Sequence, residues 1–153
     1  MLAVKSLGQA TYTDKGHWLG GRAGYVPSRE NLAAILMYEY RFDRYWSAAF
    51  DLTGLGLAKG FALIIAANLK LRIPILKYNK NLYGQFGFGS GSVYPILQGA
   101  LGFEYALTEK VSLFVQYRKY ANFDDLHPER SIYSVGVNID VTPASVRQSY
   151  LLN

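Results

Sequence analysis

The sequence predicts an all-β fold, an eight-stranded antiparallel up-and-down barrel of transmembrane type, and three observations carry that prediction. Eight segments alternate apolar with small or polar residues, the two-residue period of a strand with unlike faces, and turn signals separate them. Fifteen Gly are scattered through apolar segments beside 13 Tyr and 8 Phe, a composition that spoils helices and suits strands. The two faces also differ so much in side-chain bulk that only one of them fits inside a barrel of eight strands.

Residues 1–16 are polar and end in the turn signal T-D-K-G; they read as a lead-in, with a short extra strand over 6–13 as the alternative. The first strand, 17–26, stops at P-S-R-E. The second, 31–42, sets Leu32, Leu36, Tyr38 and Tyr40 against Ala33, Met37, Glu39 and Arg41 before a tight reversal at Asp43 and Arg44. The third, 45–55, sets Trp46, Phe50 and Leu52 against Ser47, Asp51 and Thr53, and residues 56–60 turn the chain. The fourth, 61–75, opposes Leu63, Ile65, Leu69 and Ile73 to Ile64, Asn68, Lys70 and Arg72, with Pro74 marking its end. After the Y-N-K-N turn the fifth strand, 82–89, alternates Phe86 and Phe88 with Tyr83, Gln85, Gly87 and Gly89. The sixth, 95–105, opposes Leu101, Phe103 and Tyr105 to Gln98, Gly102 and Glu104, and L-T-E-K turns into the seventh. That strand, 111–120, sets Leu113, Val115 and Tyr117 against Phe114, Gln116 and Arg118. A loop over 122–130 leads to the closing strand, 131–141, in which Tyr133, Val135, Val137, Ile139 and Val141 are apolar and Ser134, Gly136, Asn138 and Asp140 small or polar.

Side-chain size decides which face is outside. The apolar face carries Trp46, Phe50, Phe86, Phe88 and Phe103 with many Leu, Ile and Val. An eight-stranded barrel has room inside for ordinary side chains only, so that face points outward. The opposite face is rich in Gly and Ala and carries Arg22, Glu39, Arg41, Asp51, Lys70, Arg72, Glu104, Arg118 and Asp140. Charges of both signs can satisfy one another there without bulk water, as an interior ion-pair network. A charge on the outward face would cost about 2–4 kcal/mol at the bilayer midplane, and only Lys119, near a strand end, approaches it. Tyr38, Tyr40, Trp46 and Tyr105 lie towards one rim and Tyr25, Tyr94 and Tyr133 towards the other, as two interfacial girdles would. A soluble barrel with a ligand inside would leave the aromatic face in water.

The 153 residues allow one domain. The longest apolar run, 61–67, is too short for a spanning helix. With no Cys and two His, the chain offers no thiolate site and no pair of imidazoles, so neither metal nor other cofactor is expected. The net charge of +5 is not gathered into a stripe, which argues against nucleic acid as a partner. The start M-L-A-V-K-S shows no export signal, so an exported protein would have lost one already.

The closing strand, S-I-Y-S-V-G-V-N-I-D-V, resembles that of bacterial outer-membrane barrels. Ser134, Gly136, Ile139 and Val141 fill the family's polar, glycine and two terminal apolar positions, with aliphatics where the family prefers aromatics. The pattern over 18–141 resembles the OmpA-like family of small outer-membrane barrels. That resemblance implies a bacterial outer-membrane location, with outer-membrane lipid, lipopolysaccharide and the outer-membrane assembly machinery as partners, and possible docking to other envelope proteins. It also implies an interior that plugs the barrel, a role as anchor or scaffold, and periplasmic placement of residues 1–16 and 142–153. Glu39, Arg41, Lys70, Arg72, Glu104 and Asp140 are then expected in a layer nearer the periplasm, and Arg22, Asp51 and Arg118 nearer the outside. Arg29, Lys59, Lys119 and Arg130 stand at the outer rim, where they suit lipid phosphates.

Two other functions are open to such a chain. A small pore would need water continuous through the interior charges. A lipid A-modifying acyl hydrolase or transferase would need a nucleophile and a base. Residues 116–122 and 129–134 do resemble the region of lipid A deacylase barrels that carries His and Ser two apart. Here those positions are Gln116 and Arg118, or, shifted, Lys119 and Ala121, so an acyl transfer has no general base and a relative of that type is expected to be inactive. His127, Glu129 and Ser131 alternate in the last loop and read as ordinary surface residues. His17 reads as an interface residue, and Gly87, Gly89 and Gly91 lie in a strand with no helix after it, unlike a phosphate loop.

Overall fold

The computed structural model describes residues 15–27, 31–57, 60–75, 80–91, 95–122 and 130–146. Alternation over these residues gives eight strands: β1 (Gly16–Val26), β2 (Asn31–Arg41), β3 (Trp46–Leu57), β4 (Gly60–Pro74), β5 (Lys80–Ser90), β6 (Pro95–Ala106), β7 (Val111–Asn122) and β8 (Arg130–Asp140). Each pairs antiparallel with its neighbours in sequence, and β8 returns to β1, which closes the barrel and leaves no unpaired edge.

The register sets the tilt. Trp46 at the foot of β3 stands opposite Leu71, and successive partners are Gly84, Leu101, Tyr117, Tyr133 and finally Tyr25 near the top of β1. A row perpendicular to the strands therefore climbs the wall, the stagger that a closed barrel of tilted strands requires.

Two ladders run past the turns expected for them. Leu57 pairs with Gly60, so residues 56 and 60 are strand rather than turn. Lys80 and Asn81 likewise belong to β5: Asn81 pairs with Pro74, and Ile75 N donates to Lys80 O (2.9 Å). Turn composition marks where the chain reverses, whereas pairing continues as long as a partner strand stands opposite. At the far end the ladder stops at Asp140, although Val141 N still donates to His17 O (2.8 Å).

Short polar residues close two hairpins on the rim where the described residues begin and end. The Asp43 carboxylate accepts from Tyr45 N (2.6 Å) and Trp46 N (2.7 Å), and these bonds from Trp46 and Tyr45 hold its pKa below the usual carboxylate value. Thr108 Oγ1 plays the same part towards Lys110 N and Val111 N before β7.

The barrel is inverted relative to a protein folded in water. Leu36, Phe86, Leu101 and Val115 are 64, 63, 63 and 58% exposed on the outer wall, while Glu39, Glu104 and Arg118 are fully buried within. Such a continuous apolar surface is stable where hydrocarbon is the solvent. Its aromatic rims are in place among the described residues, with Tyr38, Trp46 and Tyr105 exposed on one side and Tyr25 and Tyr133 on the other. Residue 94 lies outside the described residues.

Candidate functional site

The inward positions stack in three layers. Nearest the chain ends, Glu39 of β2 accepts from Arg41 Nε (3.2 Å), from Lys70 Nζ (3.1 Å) and from Arg72 Nη1. Glu104 of β6 accepts from Arg41 Nη2 (2.8 Å), Ser112 Oγ (2.7 Å) and Asn138 Nδ2 (3.4 Å), with Lys70 Nζ at 3.7 Å from its other oxygen. Three cations and two carboxylates thus share one compartment, and rings take up part of the positive charge: Arg41 lies 3.8 Å over Trp18 and Lys70 4.1 Å over Tyr83. Asp140 stands at the foot of β8 and its Oδ1 accepts from Thr142 N (2.8 Å).

The middle layer is built on Asp51. Its Oδ2 lies 2.6 Å from Arg118 Nη2 and accepts from Asn68 Nδ2 and Gln85 Nε2, each at 3.0 Å. Gln98 bridges Asn68 to Arg118. Arg22 differs from what the sequence suggested: among the described residues it reaches no carboxylate, donates instead to Gln116 Oε1, and lies 4.2 Å over Phe114. Gln116 shares that oxygen with Arg118 (3.5 Å), so an amide carries the connection that a second acid would otherwise make.

Above these, on the side of the loops after β1, β3, β5 and β7, Val26, Ala33, Leu55, Ile64, Ile96, Tyr120 and Ile132 form a buried apolar cluster inside the barrel. The sequence expectation for the inner face centred on small and charged residues and did not include this seal. The signal was available, because strict alternation carried to the strand ends places Val26, Leu55, Ile96 and Ile132 inward. The bridging amides Asn68, Gln85, Gln98 and Gln116 also alternate onto the inner face, beside the charged side chains expected in the network.

The remaining candidates fall elsewhere. Lys119 is exposed on the outer wall near the loop rim. Residues 29 and 59 lie outside the described residues, as does the side chain of Arg130. Of the closing-strand residues, Ser134 points inward, while Ile139 and Val141 face out at 50 and 43% exposure. Gly136 has a packing reason to be glycine: an added Cβ would meet Phe114 Cζ at 2.8 Å, Arg22 Cα at 2.9 Å and the Gly21 carbonyl. Gly136→Ala is accordingly expected to lower stability by about 1–3 kcal/mol in a urea titration, as overpacking does.

Of the positions aligned with a catalytic pair, Gln116 and Arg118 point inward and Lys119 and Ala121 outward. Ser131 Oγ is 3.0 Å from Tyr117 OH, and residues 127 and 129 lie outside the described residues. His17 Nδ1 is 2.6 Å from Tyr38 OH in the aromatic rim. Residues 1–14 and 147–153 of the expected lead-in and tail also lie outside the described residues; Gly16 already belongs to β1, and Thr142 Oγ1 accepts from His17 N (2.8 Å).

No protein-family model and no curated protein matches the sequence. Solved structures do. The fold is similar to a de novo designed transmembrane β-barrel (TM-score 0.67, 10% identity, covering 87% of this chain and 100% of that one). It is similar to the N-terminal β-barrel domain of Pseudomonas aeruginosa OprF (0.69, 7% identity, 82 and 98% covered) and to Neisserial surface protein A (0.61, 16% identity, 81 and 94% covered). With the outward apolar wall, these likenesses make the chain a membrane-embedded eight-stranded barrel.

Proposed function

We propose that this chain, folded as the small eight-stranded outer-membrane barrels are, is an integral protein of the bacterial outer membrane that serves as an anchor or docking scaffold. The observation that carries this reading is the filled interior. Two polar layers cross the lumen and an apolar cluster lies over them, while the outer wall offers hydrocarbon to hydrocarbon. Water continuity through such a stack would require the Val26, Leu55, Ile96 and Ile132 layer to part, which speaks against a pore.

In this reading the rim with the chain ends faces the periplasm and the opposite loops face outward. The scaffold works through that outward rim, where Arg29, Lys59, Lys119 and Arg130 meet phosphates of lipopolysaccharide by charge-assisted hydrogen bonds. The outer-membrane assembly machinery would recognise the closing strand through Ser134, Gly136, Ile139 and Val141.

Refolding the urea-denatured chain in parallel into detergent micelles and plain buffer tests the membrane part. We expect a β-type circular dichroism spectrum, and gel migration that changes on boiling, in detergent alone. A monodisperse β protein in buffer would overturn it. Planar-bilayer recording of the refolded barrel is expected to show no steady conductance, and stepwise openings would replace the scaffold with a pore.

A further inference from the structure

On the outer wall a groove of about 620 Å³ lies over β5 and β6 between Trp46 and Lys119. Its floor is Gly84 and Gly99. Packing within the barrel does not require glycine at either: a Cβ on Gly99 would meet nothing within 4 Å, and one on Gly84 only Leu101 Cδ2 at 3.9 Å. The inward glycines behave otherwise, as at Gly89, where a Cβ would strike Ala66 Cβ at 2.7 Å. Glycine weakens a strand, and these two, which packing within the barrel does not require, together open a channel in the outer wall.

The direction of the groove says what fits. Gly84 pairs with Leu101, and Gly99 with Phe86, so the floor steps one strand on and two residues towards the loop rim. Because perpendicular rows climb in that same direction, on strands tilted by roughly 35–45°, this diagonal runs close to the barrel axis. That is the path of a lipid acyl chain. Its loop-side end is charged, since Lys119 pairs in register with Gly99, two residues beyond the Leu101–Tyr117 pair. Lys119 stands three residues from the loop-side end of β7 at Asn122, and its long aliphatic stem can carry the ammonium up to the level of lipid headgroups. A second outer groove of about 440 Å³, along Phe103, Leu113 and Val135, has no such cation.

We infer that the first groove holds one acyl chain of lipid A, with a lipid A phosphate on Lys119; the choice of leaflet rests on the outer-membrane reading above. An apolar channel along the membrane normal with one cation at its outer end complements an anionic lipid, and its lining offers a protein partner few polar groups to pair with.

The full chain refolded in neutral detergent, titrated with hexa-acylated lipid A and separately with phosphatidylethanolamine, and read by native mass spectrometry tests this. The wild type is expected to retain one lipid A in preference to phosphatidylethanolamine. Gly99→Leu, which fills the channel from an open outward position, and Lys119→Ala are each expected to weaken retention about tenfold or more. Gly21→Leu, at an equally open outward glycine off the groove, is expected to bind as the wild type does. Equal retention by Gly99→Leu, or equal binding of the two lipids, overturns the inference while leaving the barrel reading intact. A wild-type dimer that Gly99→Leu makes monomeric overturns it in favour of a second copy. A chain that never folds in detergent removes the barrel reading first.

Discussion

Glu39→Gln is expected to lower the unfolding free energy of the barrel by about 3–5 kcal/mol, the cost of leaving buried charges without their partner. Among the described residues, Glu39 is the one acid paired with Arg41, Lys70 and Arg72 together, and the other carboxylate of that layer, Glu104, is already engaged by Arg41, Ser112 and Asn138. The amide keeps the volume and removes only the charge, so packing does not confuse the result. Urea titration in lipid vesicles, followed by gel migration without boiling, reads the shift in midpoint. Lys70→Met gives an internal check: it should harm the Glu39→Gln background less than the wild type, because it withdraws one of the stranded cations. Additive losses would mean that water, not Glu39, balances these charges.

Val115→Arg is expected to cost about 2–4 kcal/mol in the same vesicles, the depth-dependent penalty for a lipid-facing charge. Val115 sits midway along β7 between Phe103 and Val135, and its 58% exposure means that nothing in the protein resists the substitution. In a water-soluble barrel the change would be close to neutral. Leu107→Arg, in the turn before β7 and 50% exposed, is the matched comparison and should have little effect. If the two arginines cost the same, the outer wall does not face hydrocarbon.

Glu39 and Val115 also show how much was legible beforehand. Both faces followed from alternation, because a strand sends successive side chains to opposite sides and no register error is possible within one strand. The contrast of bulk between Phe50 or Phe86 and Gly87 or Ser134 then fixed which side was out. Arg22 was harder. Its place on the inner face was plain, but its partner depends on which strands stand opposite across the lumen, and there it finds Gln116 and Phe114 rather than an acid. The apolar seal follows from the same alternation at Ile96 and Ile132, but that these side chains meet in one layer depends on the stagger of the strands.

By itself, then, the sequence determined the strand count, the order of turns and the inside and outside of every strand, since these are local consequences of a two-residue period and of side-chain size. Tertiary structure alone decided the stagger that carries Trp46 round to Tyr25, the sharing of Glu39 among three cations, and the alignment of Gly84 with Gly99 along the axis. Each of those depends on how strands far apart in the chain are offset when the sheet closes, and closure is a constraint on the whole barrel that no single strand records.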